Sequence, residues 1–271
     1  MLQLISYENP IFPPGFPSTQ TVAGLLLSLL LTGCVSSNTV KNFNADREKY
    51  LLEEFDVASL SSSVRSPIEK AFVDNRKFNR VVLGFDVVET NNGVVKNLTL
   101  SETIYGRDHG LVLYQDEWAA NDISYRVNNG NSLLGMMGLD IDSVFLNQTR
   151  FVRSPQDVIV KKIDSIEPSP VAITEGTDIT LKYRIGFRVQ FMNLNSFTWK
   201  FTFGQRFPAS QINPAIQGDA LDCEAVCTND AGAVTLRRKF TYLLNYGFAL
   251  TVQTSDASVS DAYSLKTVSF Q

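Results

Sequence analysis

The fold is decided by residues 179–191, which read ITLKYRIGFRVQF, and by residues 197–203, which read FTWKFTF. Every second residue of both runs is apolar, and the residues between them are polar, charged or glycine. In a helix the apolar side chains would scatter around the axis, whereas in a strand they all lie on one face. The sequence therefore predicts two long strands of an antiparallel sheet, each with one buried aromatic face.

A third run with the same alternation covers residues 240–252 and predicts one further strand. At about 3.4 Å per residue such strands would be roughly 45 Å long, so the sheet must twist or bend strongly. Glycine weakens a strand and often marks a bend. We therefore expect bends at Gly186 and Gly247.

The first half of the chain predicts a hairpin and several shorter strands. Residues 81–87 alternate in the same way, and a second run follows at residues 94–104. Between them Asn91-Asn92-Gly93 tolerates positive φ, as a hairpin turn requires. Residues 132–146 are predicted to form a short helix followed by a turn. Further strands are expected at residues 111–115, 123–128, 148–153 and 158–164.

Two short helices precede the strands. Asn44 is placed to cap the first, whose apolar residues fall on one face. Ser66, Pro67 and Glu69 match a capping box at the start of the second. Both helices are expected to cover a sheet. The fold class expected is mainly β, an antiparallel β-sandwich or partly closed barrel with two short N-terminal helices.

Pro168 and Pro170 mark the best candidate for a domain boundary, because closely spaced prolines interrupt regular structure. They divide the chain into a helix-and-sheet half, residues 44–166, and an antiparallel β half, residues 171–271. The alternative is one continuous domain over residues 44–271, which is also a suitable length for a single β domain.

Residues 22–34 read VAGLLLSLLLTGC. The apolar run at residues 22–31 has the length of a secretory signal and is too short to span a bilayer, which takes about 20 residues. Leu31, Thr32 and Gly33 stand directly before Cys34. The stretch resembles the export signal of bacterial lipoproteins, whose lipobox is an aliphatic residue, a small residue, Gly or Ala, and then Cys.

The resemblance implies that the Cys34 sulfur accepts a diacylglyceryl group and that the chain is cut just before it. Residues 1–33 are then a signal peptide, and residues 34–43 are a polar tether. Such signals begin with Lys or Arg, whereas the first basic residue is Lys41, which indicates a natural start further downstream. Val35 is not the Asp that retains lipoproteins in the inner membrane, so the resemblance favours the outer membrane, facing the periplasm.

Charge and cysteines are compatible with that location. The chain has a formal net charge of −4, and removing residues 1–33 takes away Glu8 and no base, so 27 acids face 24 bases. This balance gives no electrostatic footprint for nucleic acid. Cys223 and Cys227 remain as a pair in an oxidising compartment. A disulfide within a loop is expected, with two free thiols or metal or redox chemistry as alternatives.

His109 is the one histidine of the chain, and Asp108 beside it could orient it as a general base. No Gly-x-Ser-x-Gly motif presents a serine nucleophile, so a turn residue is the better interpretation. Two acidic sets match no calcium loop and are interpreted as solvated turn residues. They are Asp140 with Asp142, and Asp219, Asp222, Glu224 and Asp230 around the cysteine pair.

Trp118 and Trp199 could bind a sugar ring, but their surroundings favour core or half-buried positions. Lys182, Arg184 and Arg188 form a basic stripe on the outer face of their strand. Such a stripe is either solvated or available to an acidic partner.

The sequence thus contains no catalytic constellation and no set of cofactor or metal ligands. The function expected is a membrane-anchored lipoprotein of the bacterial envelope, which acts as a non-catalytic binding or scaffolding module in the periplasm. Lipid on Cys34 would hold it, and an envelope protein would be its partner. The alternatives are a periplasmic carrier of lipid or another small ligand, which would use the aromatic strand faces to line a cavity, and a periplasmic hydrolase.

Overall fold

The structure, a computed structural model, describes residues 46–73, 77–121, 123–147, 150–153 and 158–271. These residues form two α-helices, α1 (Arg47–Glu54) and α2 (Ser62–Ala71), and thirteen β-strands. The strands are β1 (Arg80–Asn91), β2 (Val94–Gly106), β3 (Leu111–Ala120), β4 (Ile123–Leu133), β5 (Met137–Asn147), β6 (Arg150–Arg153), β7 (Val158–Glu167), β8 (Asp178–Phe187), β9 (Asn195–Pro208), β10 (Asp219–Asn229), β11 (Val234–Leu243), β12 (Phe248–Ser255) and β13 (Val259–Phe270).

All the described strands belong to one antiparallel sheet, in the order β6-β5-β4-β3-β2-β1-β13-β12-β11-β10-β9-β8-β7. The first and last strands pair with each other, from Val81 opposite Phe270 to Asn91 opposite Val259. The two edge strands, β6 and β7, are consecutive in the chain, and β5 also contacts β7. The sheet is thus a nearly closed barrel with the two short helices at its N-terminal side, which confirms the expected fold class.

The aromatic faces predicted from the sequence point into the barrel. Trp199 and Phe203 of β9 are buried. Phe203 lies opposite Cys223 of β10, which lies opposite Phe240 of β11. Residues directly opposite each other on paired strands share a face of the sheet. One apolar cluster therefore crosses this wall of the barrel and includes all four side chains.

Helix α2 packs on β7 beside the seam of the barrel. Its Val64 and Ile68 are fully buried and belong to the apolar cluster of Phe203. Ser63 Oγ donates a hydrogen bond to the Lys161 carbonyl of β7 at 2.8 Å. The helix therefore supplies apolar side chains to the core at the place where β6 and β7 are not paired.

The start of α2 differs from the prediction. The helix begins at Ser62 and not after Ser66, so Pro67 lies inside it and not at its first position. A proline there removes one N–H from the helix, a cost of about 3 kcal/mol in an exposed helix. Burial of Val64 and Ile68, on either side of Pro67, offsets that cost. The capping pattern in the sequence gives no information on burial, so it predicted the wrong start for the helix.

Helix α1 covers the outer face of β3 to β5. Asp46 caps it by accepting a hydrogen bond from the Lys49 amide at 2.9 Å. The predicted cap, Asn44, lies outside the described residues. The buried contacts of the helix form a second apolar cluster of Tyr50, Leu51, Phe55, Tyr105, Leu113, Val127 and Val144.

The run 240–252 forms two strands and not the single strand predicted. β11 ends at Leu243, β12 begins at Phe248, and Gly247 between them has a φ of +77°. The amides of Tyr246 and Gly247 both donate to the Leu243 carbonyl, at 3.0 and 2.8 Å. The bend expected at Gly247 is therefore a complete reversal of the chain.

Residues 132–146 form the end of β4, a turn and β5, so the predicted short helix is wrong. In the turn Leu134 has a φ of +57°. The Leu134 carbonyl accepts a hydrogen bond from the Ala249 amide of β12 at 2.8 Å. This turn therefore reaches across to β12, and that distant contact accounts for a conformation that local sequence did not predict.

Strand β8 is shorter than predicted and ends at Phe187. Val189 and Phe191, expected in the core from the alternation, are 82% and 85% exposed. They belong to the connection between β8 and β9. The alternating pattern thus continues past the end of the strand.

Pro168 and Pro170 lie between β7 and β8, which pair with each other. Residues on both sides of the two prolines therefore contribute to the same sheet. No helix among the described residues is long and apolar enough to cross a bilayer.

Alternate turns of the antiparallel sheet lie at opposite ends of the barrel. We call one end the hairpin end; it carries the connections β1–β2, β3–β4, β8–β9, β10–β11 and β12–β13. We call the other the core end; it carries the connections β2–β3, β4–β5, β9–β10 and β11–β12.

Candidate binding site

A row of polar side chains crosses the inner face of the sheet. Glu102 of β2 lies opposite Asp116 of β3, which lies opposite Asn128 of β4, which lies opposite Ser143 of β5. Trp118, two residues beyond Asp116 on β3, is buried in the core of this wall. Because residues two apart on a strand share a face, the polar row faces the interior.

Arg238 of β11 approaches the row from another wall. It precedes the buried Phe240 by two residues and therefore shares its inward face. The side chains of this region are half-buried, unlike the fully buried apolar side chains around Phe203. We call the set the interior polar cluster. It consists of Glu102, Tyr114, Asp116, Arg126, Asn128, Ser143, Arg238, Asp261 and Tyr263.

Burial dominates the electrostatics of the two facing carboxyl groups. It raises the pKa of Asp116 to about 7, against the opposing effect of the nearby Arg126 and Arg238 guanidinium groups. Burial, and then the charge of Asp116, raises the pKa of Glu102 well above its usual range. Ionising both of two adjacent buried carboxyl groups costs free energy, because each charge is desolvated and the two charges repel each other. Near neutral pH the pair therefore retains a proton and can both donate and accept hydrogen bonds.

A second acidic group lies nearer the hairpin end. Burial, reinforced by the charge of Glu89, raises the pKa of Asp261 to about 6, and Arg126 opposes this effect. Burial also raises the pKa of Tyr263 and that of Tyr114, so both phenols keep their protons at any physiological pH. The cluster thus offers hydroxyl, carboxyl and guanidinium groups together.

Several polar atoms around this interior are buried and have no hydrogen-bond partner among the residues that the structure describes. A buried polar group without a partner costs about 1–3 kcal/mol, so folded proteins rarely leave several in one place. Buried polar atoms of this kind are commonly solvated by ordered water or by a ligand. The atoms are Asp116 Oδ1, Trp118 Nε1, Arg126 Nε, Arg238 Nε and Asp261 Oδ1.

Both arginines of the cluster lie over aromatic rings. The Arg126 guanidinium is 4.6 Å from the centre of the Trp118 ring, and that of Arg238 is 5.8 Å from the Trp199 ring. Arg238 also donates a hydrogen bond to the Met136 carbonyl at 3.0 Å. These contacts hold two cationic groups against apolar walls, where weak hydration leaves them available to a ligand.

Apolar, aromatic, charged and hydroxyl-bearing side chains lie together at this site. Ligand pockets combine apolar and aromatic walls with a few converging polar groups, and the interior polar cluster has that composition. No group of three or more His, Cys, Asp or Glu side chains in the described part of the chain is arranged to hold a metal ion.

The residues of the lipobox, Leu31, Thr32, Gly33 and Cys34, lie outside the described residues. The disulfide predicted between Cys223 and Cys227 is absent from the structure, where both thiols are free and buried. Both cysteines lie on β10 and not in a loop. Four residues along a strand separate their α-carbons by about 13 Å, more than twice the span of a disulfide.

Other residues singled out from the sequence lie apart from the cluster. His109 occupies a turn with a φ of +57°, and its Nδ1 is 2.8 Å from the Phe72 carbonyl, far from any paired acids. Asp140 pairs with Arg188 at 2.7 Å, and Asp142 accepts a hydrogen bond from the Tyr50 hydroxyl at 2.6 Å. Both acids are buried, so their interpretation as solvated turn residues is wrong.

The acids around the cysteines have separate partners. Asp219 pairs with Arg206, and Glu224 pairs with Lys239 at 3.6 Å. Trp199 is buried in the core, as its alternation predicts, and Trp118 is also buried and not half-buried as expected. In the basic stripe, Arg184 pairs with Asp164 at 2.8 Å. None of these pairs belongs to the interior polar cluster.

Sequence reasoning missed the central residues of the cluster, although one local signal was present. On β2 the inward positions from residue 98 to residue 104 are Leu98, Leu100, Glu102 and Ile104, so Glu102 lies between apolar inward neighbours. A single acid in an otherwise apolar register indicates a special site. By contrast, nothing in the sequence relates Arg238 to Asp116, because the two residues come from strands far apart in the chain.

Comparison with known proteins identifies no family. No family model matches the chain, and no curated protein matches it. Among solved structures the chain is similar to a β-barrel-like protein of a domain of unknown function, DUF1849, from Brucella abortus. The two share 8% sequence identity with a TM-score of 0.40, over 73% of this chain and 100% of that one.

Proposed function

We propose that this chain is a membrane-anchored binding module of the bacterial envelope, which takes a small amphipathic ligand into the interior of its barrel. The observation that carries the proposal is the interior polar cluster, with its unpartnered buried atoms between aromatic walls. A purely structural core would bury apolar groups there at lower cost. Retention of polar groups on the inner face is what a ligand site requires.

The composition of the cluster indicates the class of ligand. Tyr263 is half-buried, with its ring centre 6.1 Å from that of Trp118, and offers a face for an apolar or ring-bearing portion. Arg126 and Arg238 suit an acidic or carbonyl-bearing polar portion, and the proton retained by Glu102 and Asp116 can complete its hydrogen bonds. A lipid-like or aromatic carboxylic acid fits this description. Binding of this kind needs no catalytic residue.

Membrane attachment is the second part of the proposal. The lipobox residues Leu31, Thr32, Gly33 and Cys34 support acylation of Cys34, and Val35 supports an outer-membrane location facing the periplasm. A multi-acyl anchor holds a protein stably, whereas a single acyl chain gives marginal binding. An envelope protein in the same compartment would exchange ligand with the barrel.

Native mass spectrometry of the full chain purified from membranes tests the ligand site. We expect a co-purifying small molecule that Arg238→Leu removes. Arg237→Leu is the matched control, because Arg237 is exposed and neighbours Arg238 on the opposite face of β11. If wild-type protein carries no ligand and takes up none from an envelope lipid extract, or if both variants lose ligand equally, the proposed site is wrong.

Fractionation tests the anchor independently. Cys34→Ser should leave the leader uncleaved and remove acylation, which intact-mass measurement detects as loss of the acyl mass and retention of residues 1–33. If the mass and the membrane association of the acylated and mutant proteins are identical, Cys34 is not an anchor, whatever the ligand experiment shows.

A further inference from the structure

The connection between β8 and β9 presents apolar side chains to solvent at the hairpin end. Phe187, Val189, Phe191 and Met192 are 50%, 82%, 85% and 78% exposed. We call these four residues the apolar tip. Single exposed apolar residues are ordinary, but four on one connection form a patch that monomeric proteins rarely expose without a partner.

The apolar tip is held in an ordered loop. The Gln190 side chain accepts a hydrogen bond from the Phe187 amide at 3.1 Å and donates to the carbonyls of Met192 and Asn193 at 2.9 and 2.8 Å. Gln190 is thus held by hydrogen bonds within the loop, and Arg188, the other polar residue of the segment, pairs with Asp140. These hydrogen bonds fix the loop in a conformation in which its apolar side chains are exposed.

Other exposed apolar side chains lie at the same end of the barrel. Val94 and Val95 at the β1–β2 connection are 59% and 61% exposed, Ile123 at β3–β4 is 64% exposed, and Val234 at β10–β11 is 47% exposed. At the core end, among the described residues, the corresponding large exposed side chain is Val73, 68% exposed. Exposed apolar surface is therefore concentrated at the hairpin end.

Cations surround the apolar tip. The Lys161 ammonium is 5.4 Å from the centre of the Phe191 ring. Among the described residues, Asp140 pairs with Arg188 and Asp164 pairs with Lys162 and Arg184, so together with Lys161 four cations accompany two acids. The acids Asp230 and Asp256 belong to the β10–β11 and β12–β13 connections.

We propose that the apolar tip inserts into the interface of a bilayer that contains anionic lipids. The side chains of the tip are exposed to solvent, and a bilayer accepts exposed apolar side chains without a complementary groove. Aromatic and aliphatic side chains flanked by Lys and Arg are the combination that partitions into the headgroup region. Insertion there would turn the hairpin end of the barrel toward the membrane.

The start of the described chain is compatible with this orientation. Arg47 at the start of α1 pairs with Glu117 at 2.6 Å, and Glu117 lies three residues before the end of β3 at the hairpin end. The twelve residues from Cys34 to Asp46 can span at most about 40 Å. The argument from tether length rests on the proposed anchor at Cys34. The exposure and charge of the tip are independent of that anchor.

Photo-crosslinking of the full chain tests the proposal. A benzoylphenylalanine at position 191 replaces an exposed phenylalanine and should not disturb folding. The same residue at position 73, exposed at the core end, is the matched control. The protein is reconstituted in vesicles of phosphatidylcholine with and without phosphatidylglycerol, and lipid adducts are measured by mass spectrometry.

We expect the lipid adduct at position 191 to exceed that at position 73 at least about fivefold, with a further rise in phosphatidylglycerol. Lys161→Glu should lower the yield at position 191. Equal yields at the two positions, or no lipid adduct at position 191, would overturn the proposal. In cells, an adduct to a protein and none to lipid would also overturn it. Release of Cys34→Ser from membranes bears on the anchor alone, so the two proposals can fail separately.

Discussion

The two parts of the barrel interior differ in composition, although the same alternating strands build both. Around Phe203 the inward side chains are apolar and fully buried, and Tyr242 contacts Phe203 edge to face at 5.5 Å. Around Asp116 the inward side chains are polar and half-buried. The strand alternation thus sets which side chains face inward, and their chemistry decides whether that part of the barrel stabilises the fold or can bind. Under the proposed function, stability and binding would be divided between these two parts of the interior.

The largest effect should come from the apolar part. Phe203→Ala removes a fully buried ring and is expected to lower the free energy of unfolding by about 3–5 kcal/mol. Phe191→Ala, the matched control at the exposed tip, should change it by less than about 0.5 kcal/mol. Urea unfolding measures both. If both substitutions lowered the free energy of unfolding equally, the apolar interior around Phe203 would not be the part that stabilises the fold.

Thiol reactivity distinguishes a dry interior from a solvated one. Burial raises the pKa of the Cys223 thiol to about 12 and also raises that of Cys227, so both should react slowly at pH 8 in the folded state. Ser143→Cys, in a chain without these two cysteines, places a thiol in the interior polar cluster. It should react at least about a hundredfold faster with a maleimide.

In that comparison Cys34 is replaced by Ser in both proteins, so that no other thiol contributes. Denaturant should make Cys223 and Cys227 react like free cysteine. If they stay unreactive after unfolding without reductant, they form a disulfide after all. If Ser143→Cys reacts as slowly as Cys223, this part of the interior is closed to reagents.

The pH dependence of stability should report Asp116. Its pKa of about 7 in the folded state lies above the unfolded value of about 3.9. The folded state therefore binds more protons between about pH 4 and pH 7, and stability falls as the pH rises through that window. Asp116→Asn removes this loss and should raise the free energy of unfolding at pH 8 by about 1–2 kcal/mol.

The gain should vanish near pH 4, which urea unfolding across the pH range would show. Asp86→Asn, at an exposed acid paired with Lys266 on the outside of β1, is the control and should leave the slope unchanged. A parallel shift of the whole profile by Asp116→Asn would mean that Asp116 does not titrate in this window.

The smallest effect is expected outside the barrel. Lys200 and Asp178 form an exposed ion pair at 3.3 Å on β9 and β8. Exposed pairs contribute at most about 1 kcal/mol and often nothing. Lys200→Met should therefore change the free energy of unfolding by less than about 0.5 kcal/mol. A loss as large as that of Phe203→Ala would show that the outer face also stabilises the barrel.

Local sequence determined much of the secondary structure of this protein. The alternation at residues 81–87 and 197–203 predicted strands that the structure contains. A period of two places the apolar side chains on one face of a strand and on no single face of a helix. Asn92 and Gly93, with φ values of +47° and +82°, form the predicted hairpin turn. Two short helices precede the sheet, as predicted, although their caps differ.

Only the tertiary structure decided how these elements combine. Local alternation does not encode chain reversal, which is why the turn at Gly247 and the exposure of Phe191 were missed. The pairing of β1 with β13 and the meeting of Asp116 with Arg238 join residues far apart in sequence. Such contacts depend on closure of the whole sheet. The interior site therefore became visible only in the folded barrel, where distant strands bring their polar side chains into one buried space.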